Sequence, residues 1–132
     1  MKRLHYWIGL AGVVTFLLTG QYMDRVHDHL RGMPEATRML YRANHIYILL
    51  SAALNLALGV YLVQPRQTHR AILQNLASLL VLAAPWLLLF GFFTEPHMVE
   101  LARPYTRAAL YSVFGAAAAL AYLGVSGSSG GS

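Results

Sequence analysis

Four long apolar stretches, separated by short polar segments, dominate the chain. They run from Trp7 to Met23, from Ile46 to Val63, from Ala71 to Phe93 and from Ala108 to Val125, and none contains Lys, Arg, Asp, Glu or His. A helix that crosses the hydrocarbon core of a bilayer needs about 20 apolar residues, in a range of roughly 17–25. The pattern therefore predicts an all-α integral membrane protein, a four-helix transmembrane bundle with up-down-up-down topology.

Helix-breaking residues place the boundaries of these helices. The expected boundaries are a second helix from Pro34-Glu35 to Pro65, a third from Thr68 to Thr94-Glu95-Pro96, and a fourth that starts at Pro104. The first stretch ends without a small-x-small cleavage motif, so we expect it to be retained rather than removed as a signal peptide. Residues 1–125 then form one domain, and 126–132, with the sequence SGSSGGS, form a flexible linker or tag remnant.

The composition agrees with a membrane protein. Hydrophobic residues make up 57% of the 132 residues and charged residues only 11%, whereas a soluble domain carries roughly 25% charged residues. The absence of cysteine excludes disulfides, thiolate metal sites and cysteine nucleophiles. The net charge is +5, but basic residues beside membrane helices usually contact lipid phosphates. We therefore expect membrane lipid, and not nucleic acid, as a partner.

Four crossings divide the charges between two ends of the bundle, called end A and end B here. End A holds both termini and four cations: Lys2, Arg3, Arg66 and Arg70. End B holds six arginines and all five acids: Arg25, Arg31, Arg38, Arg42, Arg103, Arg107, Asp24, Asp28, Glu35, Glu95 and Glu100. The larger number of basic residues at end B predicts that end B faces the cytoplasm, whereas Lys2 and Arg3 before the first helix predict that end A does. We expect a bacterial inner membrane location with cytoplasmic termini.

Polar residues inside the apolar stretches are candidates for a ligand path. The second helix carries a polar or small residue at every fourth position: Tyr47, Ser51, Asn55 and Gly59. Thr15 lies at the centre of the first stretch, and Pro85 in the third leaves the carbonyl of Val81 without its helical partner. A hydroxyl, an amide and a free carbonyl are thus expected to meet near the bilayer centre. They either bond the helices together or line a narrow polar path or cavity.

Two pairs of arginines lie near the entrance of such a path at end B. Arg38 and Arg42, like Arg103 and Arg107, are four residues apart and share a helix face. Guanidinium groups bind phosphate or carboxylate, and the alternative is a belt that contacts lipid headgroups. The predicted function is an oligomeric binding or transport module for a small neutral or anionic molecule.

Ionisable residues at end B suggest a different function. The candidate ligands for a metal ion are Asp24, His27, Asp28, His45, Glu95 and His97. A b-type haem near the interface would use His45 with His27 or His97. These residues support the alternative of an interfacial metal- or haem-binding membrane enzyme, and their simpler interpretation is that they are solvated loop residues. No cofactor follows from the sequence.

The fourth helix is rich in small residues that allow close helix packing. Gly115 and Ala119 form a small-xxx-small pair, and Ala108, Ser112 and Ala116 form a row with the same spacing. A homo-oligomer is therefore expected, and the further alternative is a structural subunit of a larger membrane complex.

Overall fold

The computed structural model of the chain describes residues 1–63, 65, 67–98 and 102–128, and of 125–128 only the backbone. Arg66 and Glu100, which the sequence assigns to ends A and B, lie outside these residues. Within the described ranges the chain is entirely helical, without strands. The prediction of an all-α protein with four long helices is confirmed.

The helices are α1 (Lys2–Arg25), α2 (Glu35–Tyr61), α3 (Thr68–Thr94) and α4 (Pro104–Ser128), with short 3-10 turns at Asp28–Leu30 and Glu95–His97. The predicted starts of α2, α3 and α4 agree with these bounds to within one residue. Gln67, rather than Thr68, is the N-cap of α3. The backbone of α4 stays helical through Ser128, three residues into the segment expected to be a linker.

An unusual backbone connects α1 to α2. Asp28, His29 and Leu30 have φ angles of 44°, 58° and 63°, a left-handed conformation that is uncommon for residues other than glycine. The Leu30 side chain is buried and joins the hydrophobic cluster that includes Tyr41 and Phe92. Burial of this leucine offsets the cost of the strained turn and anchors the connection at end B.

Each helix packs antiparallel to its neighbour in the sequence, and α1 approaches α2 most closely. A Cβ atom added to Gly9 would lie 2.7 Å from the backbone nitrogen of Leu56, and one added to Gly59 would lie 2.8 Å from the backbone of Tyr6. Such distances are too short for any real side chain. Glycine therefore brings the two backbones into contact along the α1–α2 seam.

The outer surfaces of the helices are apolar and exposed. Leu18 is 63% exposed on α1, Leu76 56% on α3 and Phe114 66% on α4. Monomeric soluble proteins rarely expose apolar surface on this scale. Three helices, α2, α3 with its following turn, and α4, are long and apolar enough to cross a membrane.

α1 does not reach the same average hydropathy, so a bundle of four spans is not confirmed. Its sequence includes two threonines and Gln21 within the predicted apolar stretch, and these residues lower the hydropathy of a helix that is otherwise long enough. The structure thus supports a helical membrane protein with three candidate spans.

The glycine seam predicts a position-specific cost for a single methyl group. Gly9→Ala should lower the free energy of unfolding by roughly 1–3 kcal/mol relative to Gly124→Ala, because the added Cβ overpacks against the backbone of α2. At Gly124 an added Cβ meets nothing within 4 Å. The gain in helix propensity is common to both variants. Equilibrium unfolding in a denaturing detergent measures the difference, and equal stabilities would contradict the close seam.

Candidate functional site

A buried amide links three helices in the half of the bundle nearer end A. Asn55 on α2 accepts a hydrogen bond at Oδ1 from Nδ1 of His5, at 2.8 Å. Its Nδ2 donates to the carbonyl oxygens of Ser51, at 2.9 Å, and of Val81 on α3, at 3.2 Å. The Val81 carbonyl is the one that Pro85 leaves free. The expected meeting of an amide and a free carbonyl is therefore observed.

Buried polar atoms without partners lie on two residues that bond this amide, His5 and Ser51, and farther along the facing stripe of α3. Four buried side-chain atoms make no hydrogen bond: His5 Nε2, Ser51 Oγ, Ser78 Oγ and Gln74 Nε2. All four residues are at most 4% exposed. Ser78 and Gln74 lie three and seven residues before Val81, so they continue the same stripe of α3. Unpaired polar groups in an apolar interior are costly, and each requires an explanation such as a bound water or ligand.

The tautomer of His5 follows from its partner. Asn55 Oδ1 is an acceptor because its Nδ2 donates to two carbonyls, so His5 carries a proton on Nδ1. In the neutral imidazole Nε2 is then a free acceptor. Together with the hydroxyls of Ser51 and Ser78, which both donate and accept, the half of the bundle nearer end A offers both kinds of hydrogen-bonding group.

Thr15 does not take part in this arrangement, so its expected meeting with Asn55 is wrong. Its hydroxyl donates to the carbonyl of Ala11 within the same helix, at 2.9 Å. Thr15 instead lines a small, mainly apolar cleft between α1 and α3, together with Gly12 and Pro85. The reason is depth: Gly9 lies opposite Leu56 and Gly12 opposite Ala52, so Thr15 lies more than one helical turn nearer end B than Asn55.

A second polar contact lies farther along the α1–α2 seam. His45 bonds through Nδ1 to the hydroxyl of Thr19, at 2.9 Å, and its ring stacks on Phe16 with a centroid separation of 4.0 Å. His45 thus contacts α1 and no other proposed metal ligand.

At end B a buried carboxylate joins α2, α3 and α4. Glu95 is fully buried and accepts hydrogen bonds from the backbone N–H of Thr106, at 2.8 Å, and from Nδ2 of Asn44, at 3.0 Å. The Thr106 hydroxyl lies 2.5 Å from the same carboxylate. Because Thr106 is in the first turn of α4, the negative charge also meets the positive end of that helix.

Arg103 completes the end B cluster. Its guanidinium donates to Oδ1 of Asn44, at 3.0 Å, and lies 4.0 Å from the Glu95 carboxylate. Its charged group also lies 5.8 Å from the centre of the Tyr47 ring. The charges of Arg103 and Glu95 therefore compensate each other. Of the other arginines expected at the entrance, Arg42 and Arg107 are exposed, and Arg38 is half-buried.

The remaining candidate metal ligands do not gather into one set, although His27 and His97 both contact Tyr41. Asp24 contacts His29, and Asp28 is exposed. His97 bonds to the Tyr41 hydroxyl at 3.3 Å, while His27 packs against the rings of Tyr41 and Tyr22. In the described part of the chain, no three His, Asp or Glu side chains come together as metal ligands. The six predicted ligands are therefore distributed over separate contacts.

Sequence reasoning missed His5, Asn44 and Thr106. The histidine precedes the first apolar stretch, but it lies on the buried stripe of α1 formed by His5, Gly9, Gly12 and Thr19. These residues are spaced by three, four and seven, the signature of one helix face. That spacing was the available signal, whereas nothing in the sequence pairs Asn44 with Thr106.

No family model matches the chain, and no match is found among curated proteins or solved structures. The geometry of the buried polar groups is therefore the basis of the proposed function.

Glu95 should be more important for stability than the other acids at end B. Glu95→Gln should lower the free energy of unfolding by about 1–3 kcal/mol, because it removes the charge that compensates the partly buried Arg103. Glu35→Gln, at an exposed position of α2, is the matched control and should change stability by less than about 0.5 kcal/mol. Equal effects in the same unfolding titration would contradict the central position of Glu95.

Proposed function

We propose that the protein is a four-span membrane protein that binds, and passes across the bilayer, a small uncharged molecule with hydrogen-bonding groups. The site lies between α1, α2 and α3 in the half nearer end A. The observation that carries the proposal is the set of buried, unpartnered atoms on His5 and Ser51, which bond Asn55, and on Ser78 and Gln74 of the facing α3 stripe. A water or a small polar solute would supply the missing hydrogen bonds.

The α1–α2 seam supports α1 as the fourth span. α1 contacts α2 from Gly9, opposite Leu56, to Gly20, opposite His45. This contact extends over most of the candidate span Glu35–Tyr61. A helix that lies antiparallel against a membrane-spanning neighbour over this length occupies the same depth of the bilayer.

The available groups favour a neutral molecule over an anion. The unpartnered atoms belong to hydroxyl, amide and imidazole groups, and no charged residue lies in the apolar stretches. Arg103, the guanidinium that contacts the end B cluster, is already compensated by Glu95. Charged solutes would have to enter apolar surroundings without a counter-charge, which is expensive.

A second copy of the chain is the proposed neighbour of α4. Only 17% of the most apolar window of this helix is buried, and Gly115 has open space where a side chain would project. A homo-oligomer would cover this face with closely packed helices. The same face would also suit a structural subunit of a larger membrane complex. Solute flux through the proposed site would distinguish a transport protein from a purely structural subunit.

Solute flux tests the proposal. Purified protein in liposomes should raise the permeability to glycerol and urea above that of protein-free liposomes, measured by stopped-flow light scattering after an osmotic shift. Ser78→Val should return the permeability towards the protein-free level, because it fills the site and removes a hydroxyl. Thr94→Val, at a half-buried position of α3 whose hydroxyl donates to the Phe90 carbonyl of the same helix, is the matched control and should retain the flux.

Permeability that equals that of empty liposomes for both solutes would overturn the transport step. An unchanged flux in Ser78→Val, with the folded state verified by circular dichroism, would place the path elsewhere and overturn the proposed site.

A further inference from the structure

Besides Arg103 Nε, which faces Glu95, two buried nitrogen atoms without hydrogen-bond partners lie at end B, away from the solute site. They are Nε of Arg38, in the first turn of α2, and Nε2 of His27, just after α1. A guanidinium N–H that is inaccessible and unpaired is costly, because this group stays charged at any physiological pH.

Tyr41 brings these two groups to the same place. The His27 ring lies against the Tyr41 ring with a centroid separation of 5.1 Å. Arg38 precedes Tyr41 by three residues and therefore shares its side of α2. The antiparallel register agrees, since Gly12 faces Ala52 and Gly20 faces His45, which places position 27 level with position 38.

The chemistry of the donors selects an anion as ligand. Arginine nitrogens donate hydrogen bonds and cannot bind a metal, and a guanidinium repels cations. His27 donates through Nε2 in the matching tautomer. The neighbouring acids do not neutralise the positive charge of Arg38, because Glu35 and Asp28 are exposed to solvent and Asp24 contacts His29.

We propose that Arg38 and His27, with Tyr41 as a supporting wall, bind a phosphate group at end B. Phosphate matches the donor geometry of a guanidinium. Exposed apolar residues adjacent in the chain to the two donors favour a lipid headgroup as the source of this phosphate. Val26, before His27, is 62% exposed, and Met39, after Arg38, is 60% exposed. Apolar side chains around a phosphate site suit a molecule whose headgroup and acyl chains bind together. This site is independent of the proposed solute site.

Lipid binding to the purified, delipidated full chain tests the proposal. Native mass spectrometry gives dissociation constants for dioleoylphosphatidylglycerol and for dioleoylglycerol, which lacks the phosphate. The wild-type protein should prefer the phospholipid by about tenfold or more, as expected for charged hydrogen bonds. Arg38→Gln should lose this preference. Arg42→Gln, an exposed arginine one turn farther along α2, should retain it.

His27→Phe supplies a second test that keeps a ring against Tyr41 and removes the nitrogen donor. It should also lose the preference, and it decides the matter if Arg38→Gln fails to fold. Inorganic phosphate as a competitor distinguishes the sources: displacement of the lipid at equal affinity supports the same site with free phosphate as its ligand. A preference that survives in both Arg38→Gln and His27→Phe, or is lost equally in Arg42→Gln, would overturn the site.

Discussion

The hydrogen bonds of one amide hold the half of the bundle nearer end A together. Asn55 reaches His5 on α1 and the Val81 carbonyl on α3 while its own helix supplies Ser51. Inside an apolar bundle a polar group must find its partners within the protein, and interhelical bonds of this kind contribute about 0.6–2 kcal/mol each. The side-chain oxygen and nitrogen of Asn55 are both bonded in these contacts. Asn55 therefore holds its neighbours in place but does not bond their remaining polar atoms.

The Glu95 cluster and the groups around Asn55 bury their polar atoms differently. At end B Glu95, Asn44, Thr106 and Arg103 bond to one another and compensate their charges, although Arg103 Nε makes no hydrogen bond. Near end A the groups around Asn55 are uncharged and several lack partners. A charge-compensated cluster in which most groups are bonded is suited to stability, whereas an unsatisfied neutral one is suited to a solute. We therefore assign a structural role to the first and a binding role to the second.

The sequence was sufficient to predict the four helices, the starts of α2, α3 and α4, and the carbonyl of Val81 that Pro85 leaves free, because proline and charge interrupt long apolar runs. It was not sufficient to predict which polar residues meet. A stripe with a constant spacing of four, such as Tyr47, Ser51, Asn55 and Gly59, rotates about 40° with each step. The buried stripe of α2 instead alternates spacings of three and four: Tyr41, Asn44, Ile48, Ser51 and Asn55.

Long-range pairs were beyond the reach of sequence reasoning for a related reason. Glu95 and His45 looked equivalent as ionisable residues near one membrane boundary. In the fold the carboxylate turns towards the start of α4, and the imidazole towards Thr19 on α1. Helix rotation and packing depth decide such contacts, and for His45 both depend on the α1–α2 seam, whose partner residues are far away in the sequence. The candidate metal ligands were separated by the same effect.

The most direct test of the solute site is whether water or solute protons reach His5. Proton-detected solid-state NMR on ¹⁵N-histidine-labelled protein in bilayers reports magnetisation transfer to each imidazole, and His5→Gln assigns the signal among the six histidines. We expect transfer from mobile water or solute protons to the His5 ring, although the residue is fully buried. A His5 ring that stays dry while the exposed His29 and His69 show transfer would contradict it.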